Sequence, residues 1–381
     1  MAKAKERLFM GLASGWGADG VDAALVAVAG RGERIKVRQL FTHFEPFDDD
    51  LRVRIMAAAS GGMLPSRLTA LDGELAAAFA RSAQRLIEVS RTARDEIVAI
   101  GSSGQLIGRG ERATLALGSP AIIAAQSRRP VAAGFAASDL AAGGNGAVRS
   151  WPDWLVFHDR RLSRVVIHLG GLASVTFVPA AAMPGDVLAF DAGPAGLLLD
   201  ALAQRVVAQP YDADGAAAAR GRVHGPLLNE LLSHTHFQAA LPKFTTAVEW
   251  GGVYLQRLEM AASRHGCSDA DLLTTVAELV ARSLADAIGK LTERPHEVIL
   301  SGGGSRNIHL ASRIRAMLSP SSTYSVERYG LDARAHSAAR YAILAAARVD
   351  EHPAQCGREL PTADAAGEEH HRAILGGLWL A

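Results

Sequence analysis

Asp191 is the residue whose type and setting most invite chemistry. It follows the apolar run Val187-Leu188-Ala189-Phe190 and precedes Gly193-Pro194, a pair that stops a strand and starts a helix. A carboxylate at the C-terminal edge of a buried strand lies where α/β folds bind ligands, and there it can act as a general base. The same position equally suits the N-cap of the following helix. Pattern alone leaves both readings open.

Three glycine turns surround this candidate in the chain: Gly15-Trp16-Gly17-Ala18-Asp19-Gly20, Gly170-Gly171 and Gly302-Gly303-Gly304. The first two lie in near-duplicate settings. Leu8–Ala13 and Val165–Leu169 each run into a glycine bend and return as a second apolar strand, from Val21 and from Leu172. Without a Cβ, such a bend exposes backbone N–H groups to an anion, so a pair of them reads as a nucleotide-phosphate clamp. Any one alone reads as an ordinary hairpin. Asp19 and Asp22 are placed to face a phosphate-bound Mg²⁺ through water, although Asp19-Gly20 is also a simple turn former. The third turn would let a purine or ribose approach the backbone while Asn307 caps the next helix; a plain strand–helix turn explains it as well. Gly101-Ser102-Ser103-Gly104 lacks the spacing of a nucleophile elbow. The 13 histidines show no metal spacing, and His370-His371 are expected to be exposed.

These residues need elements to hold them. The spacing predicts a strand at 34–44, a helix at 72–94 with Asp72 as N-cap, a strand at 97–100, a helix opening at Pro120 and a short strand at 131–135. The run Ala-Ala-Gly-Gly-Asn-Gly-Ala at 141–147 reads as a flexible inter-domain crossing. The second half repeats the plan, with a hairpin at 164–178, a strand at 187–190 and a helix at 195–207. Helical segments follow near 223–234, 250–264 and 271–291, then a strand at 297–300 and a helix after Asn307. Strands alternating with helices imply an α/β fold with mixed sheets, and two halves that each open with a hairpin suggest one unit used twice.

Bulk properties bound the function. A chain of 381 residues suggests about two domains. A formal charge of +1 argues against nucleic-acid or anionic-membrane partners. Cys267 and Cys356 give neither a disulfide framework nor a metal spacing, as expected of a reducing compartment. The basic N-terminus resembles a signal peptide only superficially, because Gly11, Gly15, Gly17, Asp19 and Asp22 break the apolar run behind it. No uncharged apolar stretch reaches the ~18 residues of a membrane span. The expectation is a soluble, cytoplasmic protein.

Taken together, the motifs resemble those of the anhydro-N-acetylmuramic acid kinases, a branch of the actin/Hsp70/sugar-kinase superfamily. The likeness runs over nearly the whole chain. Ala13-Ser14-Gly15-Trp16-Gly17-Ala18-Asp19-Gly20-Val21-Asp22 resembles the opening Met-Ser-Gly-Thr-Ser-Leu-Asp-Gly-Val-Asp. Ala99–Gln105, Asp139–Ala147, His168–Ser174, Phe190–Pro194, Tyr211–Gly215 and Gly302–Asn307 resemble later family motifs in order. The resemblance implies two ribonuclease-H-like domains with a cleft between them, at 1–145 and 146–348, with a tail at 349–381 packing back on the first. It implies ATP with Mg²⁺, a small sugar substrate, and a homodimer. On that analogy Asp191 activates a water that attacks the anomeric carbon of the 1,6-anhydro sugar, and O6 receives the γ-phosphate. The nucleotide would be held by Gly15, Trp16, Gly17, Ala18, Asp19, Gly20, Val21, Asp22, Gly170, Gly171, Gly302, Gly303, Gly304 and Asn307. The sugar would meet Ser103, Asp139 and Gly193.

The chain also departs from the family pattern. Trp16-Gly17 replaces Thr-Ser, Ser103 replaces His, and Gly134-Phe135-Ala136 replaces Asp-Phe-Arg. Lys243–Val248 stands for Lys-Ser-Thr-Gly-Arg-Glu, Ser174 and Gly196 for two asparagines, and Ser337 for a Glu. Most of these changes remove polar groups, and losing one preorganised donor reduces a rate by about 100- to 1,000-fold. Two readings follow: a kinase acting on anhydro-N-acetylmuramic acid or a related sugar, or a degenerate relative that binds sugar, nucleotide or protein without turnover.

Overall fold

The computed structural model describes residues 6–356 and 373–381; His370-His371 lie outside them. Among these residues two compact units emerge, one of residues 6–161, 178–188, 326–356 and 373–381, the other of 162–177 and 189–325.

The first unit is built on strands β1 (Arg7–Ala13), β2 (Gly20–Ala29), β3 (Lys36–Pro46), β4 (Ile97–Ser102) and β7 (Val131–Ala133), with a small hairpin of β5 (Gln105–Arg109) and β6 (Thr114–Leu117) beside them. β1 and β2 are almost wholly buried, as their near-continuous apolar runs require of a sheet covered on both faces. The second unit carries β8 (Arg164–Leu169), β9 (Leu172–Val178), β10 (Leu188–Pro194), β11 (Glu297–Ser301) and β12 (Ser322–Ser325). Its order, β10-β9-β8-β11-β12, repeats the order β3-β2-β1-β4-β7 of the first sheet. In both, the two inner strands β1/β4 and β8/β11 run parallel. This is the ribonuclease-H-like arrangement, used twice. The repeat places the glycine turns after β1 and β8 and those after β4 and β11 at equivalent strand ends.

The chain end contributes β13 (Gly377–Trp379), which pairs antiparallel with β7 and so extends the first sheet. The helix His336–Val349 also belongs to the first unit, not to the second as the expected break at 348 had it. Strand glycines make room for this helix. A Cβ on Gly11 would lie 1.7 Å from the Ala338 carbonyl oxygen, and one on Gly101 2.0 Å from that of Tyr341. The buried Arg340 guanidinium then grips Asp153 bidentately, at 2.7 and 2.8 Å, tying the helix Ser150–Phe157 into the same unit.

The stretch at 141–147 is not a crossing either. The Asp139 carbonyl accepts from Gly144 N–H at 2.8 Å, its carboxylate from Gly146 N–H at 2.6 Å, and Arg109 donates to the Asn145 carbonyl. Asp72 proves to be no N-cap, because its helix starts earlier, at Pro65, and runs to Ser90. Its carboxylate instead accepts from Gly118 N–H at 2.7 Å. The helix Asp49–Ala59, capped by Asp48, lacks the periodicity that would have announced it. Among the described residues no helix is long and apolar enough to cross a membrane.

Candidate functional site

Each unit holds its own group of the candidate residues. In the second, Asp191 is buried and lies in the middle of β10, not at its C-terminal edge as expected, because the extended backbone continues through Gly193-Pro194. The following helix, Gly196–Val207, has Ala195 at its N-cap, so the capping reading of Asp191 falls away. The carboxylate is oriented from two sides. Ser174 on the neighbouring β9 donates to Oδ1 at 2.9 Å, and the Thr245 backbone N–H donates to Oδ2 at 3.3 Å. Thr245 is itself fixed: Trp250 Nε1 donates to its hydroxyl at 2.8 Å, and that hydroxyl donates to Glu249. Glu249 follows the position, Val248, where the family pattern has its acid. A carboxylate therefore still reaches the Asp191 neighbourhood, a link that sequence spacing alone could not show.

The glycines divide by the reason each is glycine. Gly302 and Gly304 are required by packing, since a Cβ would come within 2.5 and 2.9 Å of Leu169 atoms. Gly193 is needed because the Phe237 ring approaches to 2.6 Å of its Cβ position. Gly15, Gly17 and Gly303 meet nothing within 4 Å, so their bare backbone faces open space. The Gly170-Gly171 bend differs from the expected display of free donors. Gly170 N–H donates to the Leu172 carbonyl at 3.1 Å, and the bend's carbonyls accept from the N–H groups of Ala195, Gly196 and Leu197. Much of this bend thus serves as the cap of a helix. Asn307 caps its own helix as expected, accepting from Leu310 N–H at 2.9 Å. The Cβ position of Gly215 lies 2.2 Å from the Asn307 Oδ1, which brings the Tyr211–Gly215 motif to the same corner as Gly302–Gly304.

In the first unit the loop after β1 is laced to the turn after β4. Ser14 N–H donates to the Ser103 hydroxyl at 3.1 Å, the Ser14 hydroxyl donates to Gln105 Oε1 at 2.6 Å, and Gln105 Nε2 reaches the Gly15 carbonyl at 3.2 Å. Ser103 is thus a tie between the two loops. Trp16 is half-buried, Ala18 is buried with φ 48°, and Gly20 and Val21 are buried at the start of β2. Asp19 and Asp22 share Arg334, at 3.0 and 2.9 Å, and the guanidinium stacks 3.3 Å from the Phe44 ring centroid. Burial pushes the Asp22 carboxyl up to about 7; Arg334 pulls the other way, and Asp19 adds to the rise. Arg334 was invisible as a site residue from sequence, because it lies more than 300 positions from its partners. Asp139 is buried, its carboxyl raised mainly by that burial, with one oxygen engaged by Gly146.

Comparison with known proteins fits this geometry. A sequence model of the anhydro-N-acetylmuramic acid kinase family matches residues 7–377. An anhydro-N-acetylmuramic acid kinase from Gloeobacter violaceus is 34% identical over 372 residues, covering 94% of this chain and 98% of that protein. One from Salinibacter ruber is 34% identical over 365 residues, covering 91% of each. One from Xanthomonas campestris pv. campestris is 37% identical over 361 residues, covering 91% and 92%. Carrying the repeated sheet, the glycine turns and the buried carboxylate of β10, the chain belongs to the anhydro-N-acetylmuramic acid kinase family.

Proposed function

We propose that this protein is an ATP-dependent kinase that opens the 1,6-anhydro ring of anhydro-N-acetylmuramic acid with water and phosphorylates O6. The observation that carries the reading is Asp191, a buried carboxylate aimed by Ser174 and Thr245 within a chain of this family. Such a group, fixed by donors that do not themselves titrate near neutrality, suits proton abstraction. Asp191 takes one proton from a water. The resulting hydroxyl joins the anomeric carbon, the C1–O6 bond breaks with its electron pair on O6, and O6 becomes the phosphoryl acceptor. MgATP, when bound, supplies the phosphoryl group and its counter-charge. With open space where a side chain would be, Gly15 and Gly17 in the first unit and Gly303 in the second are the backbone positions of each unit suited to a phosphate. Asp19, the exposed member of the Arg334 cluster, is the carboxylate suited to a hydrated ion. The reading extends to a cytoplasmic homodimer acting in cell-wall recycling.

Calorimetric titration with MgATP and with the anhydro-sugar, followed by a phosphate-transfer assay, tests this. The wild-type chain is expected to bind both and to transfer phosphate. Asp191→Asn is expected to bind both while losing about 100- to 10,000-fold in kcat. Binding with no transfer by wild type would replace the enzyme with a sensor, and binding of neither ligand would remove both readings.

A further inference from the structure

The backbone of Asp191 is held as firmly as its carboxylate, by residues with no part in the reaction above. Asp191 N–H donates to the Lys243 carbonyl at 2.8 Å. The Lys243 ammonium donates to the His236 carbonyl at 2.8 Å. His236 Nε2 lies 3.0 Å from the Asp191 carbonyl oxygen. A carbonyl only accepts, so Nε2 carries the hydrogen, and the three residues close a ring of three hydrogen bonds that holds both the N–H and the C=O of Asp191. All three are buried. The neighbouring Phe237 ring seats on Gly193, two residues beyond Asp191, so the short helix Thr235–Gln238 bears on both sides of the β10 end.

We propose that His236 is a positioning residue for Asp191, closing with Lys243 a hydrogen-bonded ring that fixes the base's backbone on both sides of its Cα and thereby the direction of its carboxylate. This rests on the reading of Asp191 as the base. Burial, with the Lys243 charge beside it, holds the imidazole below its usual range, which keeps the single neutral tautomer the ring requires. The same burial draws the Lys243 ammonium down to about 8.

Two measurements on the full chain decide it. In kinetics, His236→Gln, whose amide nitrogen falls near Nε2, is expected to stay within about threefold of wild type. His236→Asn, which reaches only as far as Nδ1, and His236→Phe are expected to lose kcat by a factor on the order of 100, with KM for ATP unchanged. Equal losses in the Gln and Asn variants, or a full rate in the Phe variant, would overturn the proposal. In NMR of histidine- and aspartate-labelled protein, wild type is expected to show a cross-hydrogen-bond coupling between His236 Nε2 and the Asp191 carbonyl carbon. The Asp191 carboxyl carbon resonance is expected to move in the Asn variant and to stay in the Gln variant. Absence of the coupling, or an unmoved resonance in the Asn variant, also overturns it. Should wild type transfer no phosphate, the kinase reading fails while the NMR arm still decides the ring.

Discussion

At the scale of single residues, two carboxylates, one in each unit, have opposite surroundings. Asp191 is met by neutral donors, whereas Asp22 is desolvated and shares one guanidinium with Asp19. Burial raises the Asp22 carboxyl to about 7 in the folded chain, so between the ordinary carboxylate range and 7 the folded chain holds a proton that the unfolded chain has released. Stability then falls as pH rises from about 4 toward 7. Discounted for its partial exposure, the effect is on the order of 2 kcal/mol. Asp22→Asn is expected to flatten that decline, read as melting temperature from about pH 4 to 7; an unchanged slope would show that Asp22 does not titrate there. Of these residues, Asp191 was legible from its place after an apolar run. Its donors were not, since Thr245 and His236 lie some 50 positions away and touch it only through the fold.

At the scale of elements, glycines decide how closely helices approach sheets. Gly11 and Gly101 let the helix His336–Val349 lie against β1 and β4. Gly11→Ala forces backbone against backbone and is expected to destabilise the first unit by about 3 kcal/mol or more, measured by urea unfolding. Gly73, inside the helix Pro65–Ser90 with nothing within 4 Å of its Cβ position, is the opposite case. Gly73→Ala is expected to stabilise by about 1 kcal/mol in the same assay. Strong periodicity made the helix at 196–207, the strands of both hairpins and the central part of the helix Pro65–Ser90 readable, although that helix was expected at 72–94. The helix Asp49–Ala59 and the pairing of β13 with β7 were not readable, because short weakly amphipathic segments take their structure from what they pack on.

At the scale of the whole molecule, a ligand that binds only the folded chain adds stability by mass action. MgATP at a hundred times its dissociation constant is expected to add about 2.7 kcal/mol, seen as a raised melting temperature. The shift is expected to persist in Asp191→Asn, because that residue is assigned to the sugar chemistry and not to the nucleotide. Loss of the shift on that substitution would contradict the assignment.

What the sequence determined by itself was the repeated strand plan, the family and the presence of a carboxylate on an apolar strand near 190, since apolar period and local turn chemistry are properties of neighbouring residues. The tertiary structure alone decided that 326–349 returns to the first unit, that Asp139 staples its own loop, that the Gly170-Gly171 bend caps a helix, and that Lys243 and His236 hold the N–H and C=O of Asp191. Each depends on residues far apart in the chain meeting within hydrogen-bond or van der Waals distance, and only the folded chain fixes which ones do.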